Sequence, residues 1–309
     1  MNVFVSTSDI FWRVLTVFSL TLFGIIARKT GTFREEARQS FADTVMNITL
    51  PSLVFVSMTS EITWDRLVSA VSLPFIAFSL ILIVSVLVSA VGRLIPMPAE
   101  RRGTFMVLSA MPNSSFIAYP VVLSVLGQEG LAYAVLYDIG VSTAFFSVAI
   151  FALQGGPINK GSWKALINPA LMATLLGLTI NRMGITVPEL VLAPLRIMGN
   201  ATVPLAMLLT GYLLAGLKVQ SKAISIELAA VCLCKLILYP VLAYFVVMPF
   251  NLEPMVRMVV LIVAAMPSMA STPVLVQKYG GDGEFAVAGV FVTTLLSVVT
   301  IPLMIRFLG

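Results

Sequence analysis

The chain of 309 residues contains no histidine, only two cysteines, and charged residues at only 11% of its positions. Without histidine it cannot form a His-based catalytic triad, a His-ligated zinc or haem site, or a histidine proton relay. Cys232 and Cys234 are separated by one residue inside an apolar run, which indicates packing rather than a disulfide or a metal site. No nucleotide-binding loop of the G-x-x-x-x-G-K-[ST] type and no GxSxG signature is present. We therefore expect neither an enzyme nor an ATP-driven pump, and no metal or resident cofactor.

Most residues of the chain are apolar. Hydrophobic residues make up 59% of the chain, and the mean hydropathy is +1.03. Apolar runs of about 20 residues, the length that crosses roughly 30 Å of hydrocarbon, recur from end to end. Barrel strands alternate over about 10 residues, so these unbroken runs favour an all-α polytopic membrane protein. The first run begins near Ile10 without the basic flank of a cleaved signal, and we expect it to be retained.

Ten spans are predicted, and the chain repeats itself at its midpoint. The spans are 9–28, 40–58, 68–92, 103–126, 130–153, 165–182, 190–215, 224–248, 256–278 and 283–307. A first half, 1–153, and a second half, 165–309, flank the Gly-rich linker 154–164. Residues 153 positions apart match at Gly24 and Gly177, Gly31 and Gly184, Pro120 and Pro273, Gly127 and Gly280, Gly130 and Gly283, and in "NITLP" (47–51) and "NATVP" (200–204). Five spans per half place the second copy upside down, an inverted repeat typical of secondary transporters.

Lys and Arg are unequally divided between the two predicted sides of the membrane. Under the positive-inside rule, the side with more of them is cytoplasmic, which places both termini outside. The inner side carries Arg28, Lys29, Arg34, Arg38, Arg93, Arg101, Arg102, Lys160, Lys164, Lys218, Lys222 and Lys278, and the outer side carries Arg13, Arg66, Arg182, Arg196, Arg257 and Arg306. The net charge of +5 therefore reflects topology, and we expect the lipid bilayer, not nucleic acid, as the partner.

The fourth span contains a break, "AMPNSSFIAYP" at 110–120. Pro112 and Pro120 each remove a backbone donor, and a freed carbonyl in lipid costs several kcal/mol unless it is buried in protein or lines a watery cavity. A single proline could be a tolerated kink. However, the ninth span repeats the pattern as "AMPSMASTP" at 265–273, and paired interrupted spans point to a transport site. The candidate residues are Asn113, Ser114, Ser115 and Pro120 in one break and Ser268, Ser271, Thr272 and Pro273 in the other.

The chemistry of such breaks suits a small anion. A broken helix presents the N-terminus of its second half, with unpaired N–H groups and about half a positive charge. Two such termini can hold a carboxylate without any arginine. The freed carbonyls could equally hold Na⁺, so the geometry alone leaves the sign of the ligand open.

Two ionisable residues fall deep inside predicted spans, Asp138 in the fifth and Lys235 in the eighth. A charge at mid-bilayer costs about 2.5–3.5 kcal/mol on insertion scales, so each should face the bundle interior or a partner. Our hypothesis is that Asp138 couples H⁺ or Na⁺ to transport and that Lys235 balances charge. The alternatives are a structural ion pair, or side chains that snorkel to the interface.

The stretch "MPNSSFIAYPVVL", with Asn113 seven residues before Pro120, resembles the fourth span of the auxin efflux carrier family. The family includes plant PIN auxin exporters and bacterial malonate and malate carriers. The ten-span layout, the outward termini and the second break extend the resemblance over essentially the whole chain. The long cytoplasmic loop of many plant members is missing, which is typical of a bacterial member in the inner membrane. Ala118 stands where the family often has glycine.

The resemblance implies a fold similar to sodium/proton antiporters and bile acid symporters, with spans 4 and 9 crossing at their breaks. Spans 1, 2, 6 and 7 would form a scaffold, which could also form a homodimer, and spans 3–5 and 8–10 a mobile elevator. Asn113 would contact substrate, with Pro120 and Pro273 at the crossing. Asn47 and Asn200, in the scaffold, could face the substrate path or form hydrogen-bonded kinks.

The sequence thus predicts a secondary carrier of a small organic anion, such as malonate, malate, another mono- or dicarboxylate, or indole-3-acetate. The alternatives are a cation-coupled symporter or antiporter of bile acids or other substrates, and an anion channel. A channel fits less well, because channels are usually symmetric oligomers around one pore. The sequence leaves open the substrate, the direction of transport, the coupling ion and the oligomeric state.

Overall fold

The computed structural model describes residues 7–155, 167–216 and 225–308. These residues form sixteen α-helices: α1 (Thr7–Lys29), α2 (Ala37–Thr44), α3 (Leu50–Ser60), α4 (Trp64–Ser69), α5 (Leu73–Leu94), α6 (Ala99–Ala110), α7 (Ala118–Ala144), α8 (Ile150–Gln154), α9 (Pro169–Arg182), α10 (Glu189–Asn200), α11 (Thr202–Gly216), α12 (Ile226–Leu233), α13 (Tyr239–Val247), α14 (Pro254–Ala264), α15 (Thr272–Tyr279) and α16 (Gly283–Leu308). Short π-helical segments join α2 to α3 (Val45–Thr49), α7 to α8 (Phe145–Ala149) and α12 to α13 (Cys234–Leu238).

Seven continuous helical stretches in the described residues are long and apolar enough to cross a membrane. They are Ile10–Lys29, Ala37–Ser60, Trp64–Leu94, Ala118–Gln154, Glu189–Gly216, Ile226–Val247 and Gly283–Leu308. Helix formation satisfies every backbone group inside the segment, which is what the hydrocarbon interior requires. The chain is therefore a multi-pass, all-helical membrane protein.

Within its described residues, the structure has seven long helical stretches where the sequence predicts ten spans, and the local structure explains the difference. The predicted spans 103–126 and 256–278 are each interrupted by a non-helical segment, and the helix in the predicted span 165–182, α9, has only 14 residues. The stretch Ala118–Gln154 contains the end of one predicted span and all of the next, and the two meet at Gly127, whose φ of 74° lies outside the helical range. The predicted linker 154–164 lies outside the described residues, except for Gln154 and Gly155.

The helices pack as two groups. In the first, α1 packs along α11, and α3 packs against both α9 and α10. In the second, α5, α6, α7 and α12–α16 surround the largest buried side chains, among them Tyr133, Tyr137, Tyr239, Phe105 and Phe285. Contacts of α7 with α1, α3 and α11 join the two groups. The core therefore lies mainly in the second group.

Glycines that match in the sequence also match in conformation. Gly31 and Gly184 have φ values of 71° and 65°, and Gly127 and Gly280 have φ values of 74° and 99°. This left-handed region is open to glycine and costly for residues with a Cβ. The same residue type is therefore required at the same place in each half of the chain.

Close helix packing also repeats between the halves. A methyl group at Gly24 would lie 1.9 Å from the carbonyl oxygen of Leu208, where α1 meets α11. A methyl group at Gly177 would lie 2.6 Å from Cβ of Met58 and 3.6 Å from the carbonyl oxygen of Phe55, where α9 meets α3. Phe55 and Leu208 are themselves 153 positions apart. Small residues at such contacts let membrane helices approach closely.

Candidate functional site

The first break runs through Met111–Ile117, between α6 and α7. Pro112 has no N–H to donate to the carbonyl of Leu108, four residues earlier, so the helix cannot continue normally there. The hydroxyl of Ser268, from the second break, donates to this same Leu108 carbonyl at 2.6 Å. The cost of the proline is thus offset across the fold rather than within the helix.

The second break runs through Ala265–Ser271, between α14 and α15, and lies directly against the first. Pro112 and Ser268 form an isolated antiparallel bridge. The Asn113 N–H donates to the Pro267 carbonyl at 2.9 Å, and the Met269 N–H donates to the Met111 carbonyl at 3.0 Å. The two broken segments therefore cross in opposite directions and hydrogen-bond to each other; we call this contact the crossing.

Each of the two breaks leads into a helix N-terminus. Helix α7 starts at Ala118 and helix α15 at Thr272, and neither is capped by a side-chain hydrogen bond from the preceding residue. The N–H groups of Ala118 and Tyr119 already donate to carbonyls of the first break, and the N–H group of Thr272 donates to a carbonyl of the second break. The helix dipole still places about half a positive charge at each N-terminus. Because the breaks run antiparallel, these two positive ends come from opposite directions.

The predicted site residues of the two breaks come together here. Asn113 and Thr272 are buried, with exposed fractions of 2% and 0%, and their Nδ2 and Oγ1 atoms have no hydrogen-bond partner. Ser268 is fully buried and its N–H donates to Thr293 Oγ1 at 3.3 Å. Ser115 and Ser271 are half-buried. A buried polar atom without a partner is costly, so the Asn113 amide and Thr272 hydroxyl are candidates for ligand contacts.

The resemblance implied that Pro120 and Pro273 lie at the crossing, but these two prolines do not form the contact itself. They lie in the first turns of α7 and α15, whereas the bridge and its hydrogen bonds involve Pro112 and Pro267–Met269. In the first turn of a helix a proline removes an N–H that has no intrahelical acceptor anyway. Pro120 and Pro273 therefore fit as helix starts, and Pro112 and Pro267 as the residues of the crossing.

Asp138 lies next to the crossing. The Ser114 hydroxyl, buried in the first break, donates to Asp138 Oδ1. Tyr119, in the first turn of α7, is the second hydroxyl close to this carboxylate. Asp138 and Tyr119 line a cavity of about 90 Å³ between α7 and the start of α9, together with Ser142, Thr143, Asn168, Thr174 and four apolar residues. The hydroxyl of Ser114 therefore links this cavity to the first break.

Lys235 lies in the π-helical segment Cys234–Leu238 and is fully buried. Its Nζ has no hydrogen-bond partner and stands 3.8 Å from the centre of the Tyr239 ring. It forms no ion pair with Asp138, whose polar neighbours are Ser114 and Tyr119. The ion-pair alternative is therefore wrong, and complete burial also excludes snorkelling for this lysine.

Asn47 and Asn200 are not buried at the crossing. Asn47 lies in the π-helical segment Val45–Thr49, Asn200 ends α10, and both are exposed. Both positions interrupt regular α-helix in the first helix group. They therefore occupy matching irregularities in the two halves.

Sequence reasoning missed three residues of this region. Tyr119 faces Asp138, Thr293 on α16 accepts from the Ser268 N–H, and Pro267 accepts from the Asn113 N–H. The repeated "AMP" could have identified Pro267, because it matches Pro112. No sequence signal distinguishes Tyr119 or Thr293 from other polar residues in apolar spans. Within the described ranges, no three acidic or cysteine side chains gather as a metal site.

Similarity to known proteins agrees with a transport site. The membrane transport protein family model matches residues 9–162 and 157–305 of this chain. An uncharacterized transporter of Methanocaldococcus jannaschii is 26% identical over 302 residues, which cover 94% of this chain and 96% of that protein. An uncharacterized transporter of Methanothermobacter thermautotrophicus is 28% identical over 299 residues, covering 94% of this chain and 95% of that protein.

The name of a third relative specifies a substrate. A protein of Rhizobium meliloti, named as a candidate malonate transporter, is 25% identical over 310 residues, which cover 95% of this chain and 94% of that protein. The family match and the names of these relatives identify a transporter rather than an enzyme. The chain therefore belongs to the membrane transport protein family, the family of the auxin efflux carriers that its fourth span resembles.

Proposed function

We propose that this protein is a secondary transporter or facilitator that moves a small organic anion, a mono- or dicarboxylate of the malonate, malate or auxin type. The observation that carries this proposal is the crossing, where each of the two breaks leads into a helix N-terminus and the buried Asn113 amide has no hydrogen-bond partner. Helix N-termini favour carboxylates, and the Asn113 amide is a further donor. The name of the Rhizobium relative supports a dicarboxylate as the first substrate to test.

We further propose ten transmembrane spans in two inverted five-span repeats. Helix α6 with the part of α7 before Gly127 forms the broken fourth span, and helices α14 and α15 form the broken ninth span. The matched positive φ values of Gly31 and Gly184 support the repeat. So does the exchange of partners between the halves: α1 packs on α11 as α9 packs on α3. The orientation we propose has both termini outside a bacterial inner membrane.

Alternating access would proceed by an elevator movement. The first helix group would be the fixed scaffold and the second the mobile domain, which carries both sides of the crossing. The division of packing into two groups supports this proposal. The scaffold also carries large exposed apolar side chains on α9 and α10, such as Leu176, Leu190 and Ile197, which fit lipid contact or a homodimer interface.

In this scheme Ser114, Ser115, Ser268, Ser271 and Thr272 contribute hydrogen bonds to the substrate or shape its site. Asn47 and Asn200 would face the substrate path from the scaffold. Asp138 is the coupling residue for H⁺ or Na⁺, and Lys235 balances charge inside the mobile domain. No resident cofactor is required.

The test is malonate counterflow in proteoliposomes, comparing the wild-type protein with Asn113→Ala and Ser124→Ala. The Ser124 hydroxyl bonds only to the carbonyl of Val121 in its own helix, so its loss should leave flux unchanged. A hydrogen bond to a charged group is worth about 1.5–3 kcal/mol, so Asn113→Ala should weaken malonate binding by about 10- to 100-fold.

Two results would contradict the proposal. Undiminished counterflow by Asn113→Ala would mean that the substrate binds away from the crossing. An ohmic anion current without saturable counterflow would identify a channel. If malonate is inactive, malate, indole-3-acetate and other small carboxylates are the next substrates in the same assay.

A further inference from the structure

The hydrogen bond between Ser114 and Asp138 links the crossing to the cavity between α7 and α9. Ser114 belongs to the crossing and follows Asn113 directly, whereas Asp138 faces the cavity between α7 and α9. The serine hydroxyl has one hydrogen, and in this conformation that hydrogen is directed at the carboxylate. While it remains there, it is unavailable to any anion at the crossing.

The charge of Asp138 opposes the charge expected of the substrate. Asp138 accepts a hydrogen bond from Ser114, which lies four residues before the start of α7. When ionised, this carboxylate offsets the positive end of that helix. Two negative charges this close in a low-dielectric interior repel strongly unless one is neutralised. An anion at the crossing and an ionised Asp138 therefore compete for the same helix end and the same serine hydroxyl.

Few other groups can influence this carboxylate. Among the described residues that line the cavity, Tyr119 is the only other titratable side chain. The helices packed against α7 carry charged groups near their ends, including Arg13 on α1, Arg93 on α5 and Arg257 on α14, but within the described ranges none of these forms a salt bridge with Asp138. Lys235 faces the Tyr239 ring instead. Asp138 has no counter-ion among the described residues.

We propose that Asp138 takes up a proton when the anion binds, and that Ser114 then turns its hydroxyl from Asp138 to the anion, so that the protein is an anion–proton symporter. The proposal rests on the proposed function of the crossing. One proton passes from solvent to Asp138: an O–H bond of hydronium breaks, leaving water, and the O–H bond of the carboxylic acid forms. The resulting carboxylic acid can donate to the Ser114 oxygen, which frees the serine hydrogen for the substrate.

A proton fits this site better than a metal cation. The two hydroxyl groups nearest Asp138 come from Ser114 and Tyr119, and the Ser114 bond is a donation toward the carboxylate. Hard cations require several oxygen ligands with their lone pairs turned inward.

The test is proton uptake during malonate binding, measured by titration calorimetry of the purified protein in buffers of different ionisation enthalpy. Linkage predicts close to one proton taken up per malonate by the wild type and by Ser124→Ala. Asp138→Asn should bind malonate with no proton uptake, because its side chain is neutral at every pH. If malonate itself takes up a proton, that uptake remains in Asp138→Asn, so the difference between the two proteins measures only the proton on Asp138.

Ser114→Ala separates the hydroxyl switch from the charge effect. We expect about tenfold weaker malonate binding at the pH where the wild type binds most tightly, from the loss of one hydrogen bond to a charged group. At high pH, where the wild-type hydroxyl remains on Asp138, the two proteins should bind almost equally. Parallel pH profiles would overturn the switch.

The failures of the two proposals are distinguishable. If no small carboxylate gives heat and Asn113→Ala changes nothing, the anion site itself is wrong. If malonate binds at the crossing without proton uptake, or binds only when Na⁺ is present, the anion site stands and the proton proposal is wrong. Should Asp138→Asn fail to fold, wild-type proton uptake and the Ser114→Ala profile still decide.

Discussion

At the scale of single residues, Lys235 is the costliest group in the described core. It is fully buried with no hydrogen-bond partner for its amine. A lysine at the centre of a membrane helix costs about 2.5–3.5 kcal/mol. Its contact with the Tyr239 ring, 3.8 Å away, recovers about 2 kcal/mol if the amine is charged. A net cost remains, which a protein tolerates where the residue has a function.

We therefore predict that Lys235→Met stabilises the protein. Methionine fills similar space and keeps contact with the Tyr239 ring through its sulfur, while the buried amine disappears. The expected gain is about 1 kcal/mol, the difference between the cost of the amine and its ring contact, read as a higher melting temperature in detergent. Lys278→Met is the matched control, because Lys278 is exposed and also lies over a tyrosine ring. A lower melting temperature for Lys235→Met alone would mean that the lysine makes an essential interaction.

At the scale of elements, the crossing depends on one side chain that repairs a broken helix. Pro112 ends α6 by removing a donor, and Ser268 from the opposite break replaces it. The two breaks are therefore one structural unit, although more than 150 residues separate them in the sequence. Neither break could be stable in lipid without the other.

We predict that Ser268→Ala destabilises the protein by about 1–3 kcal/mol, because the buried Leu108 carbonyl loses its hydrogen-bond donor. Thermal melting in detergent measures the loss, and counterflow should fall with it. Ser297→Ala is the control: Ser297 is equally buried, but its hydroxyl bonds to the carbonyl of Thr294 within its own helix. Equal melting temperatures for Ser268→Ala and Ser297→Ala would show that the Leu108 carbonyl needs no donor.

At the scale of the whole molecule, the inverted repeat that we propose would govern topology. Matching positions of two inverted repeats must lie on opposite sides of the membrane, whereas parallel repeats would place them on the same side. Thr32 and Ile185 are such a pair, each following a glycine with positive φ, and both are exposed. Chain direction thus makes the proposed topology testable with two substitutions.

We predict opposite labelling of Thr32→Cys and Ile185→Cys by a membrane-impermeant maleimide. Both variants are made in a background without Cys232 and Cys234, the two cysteines of the chain. In intact cells Ile185→Cys should react, because the positive-inside rule puts it outside, and Thr32→Cys should react only after permeabilisation. Labelling of both from one side would contradict inversion, and reversed labelling would contradict the orientation.

The sequence by itself determined the class of the protein and the positions of its two breaks. Composition excluded a soluble fold, and paired prolines and polar residues in "AMPNSSFIAYP" and "AMPSMASTP" identified both breaks, because proline and asparagine are costly in lipid wherever they lie. Such penalties are local and can be read from a single chain.

Only the tertiary structure decided which groups meet. It brings Ser268 to the Leu108 carbonyl and Ser114 to Asp138, and it keeps Lys235 apart from that carboxylate. It also shows that the contact between the breaks involves Pro112 rather than Pro120. Hydrogen bonds and ion pairs depend on distances of about 3 Å and on direction. The rotation and register of packed helices fix these distances, and no spacing within one span specifies them.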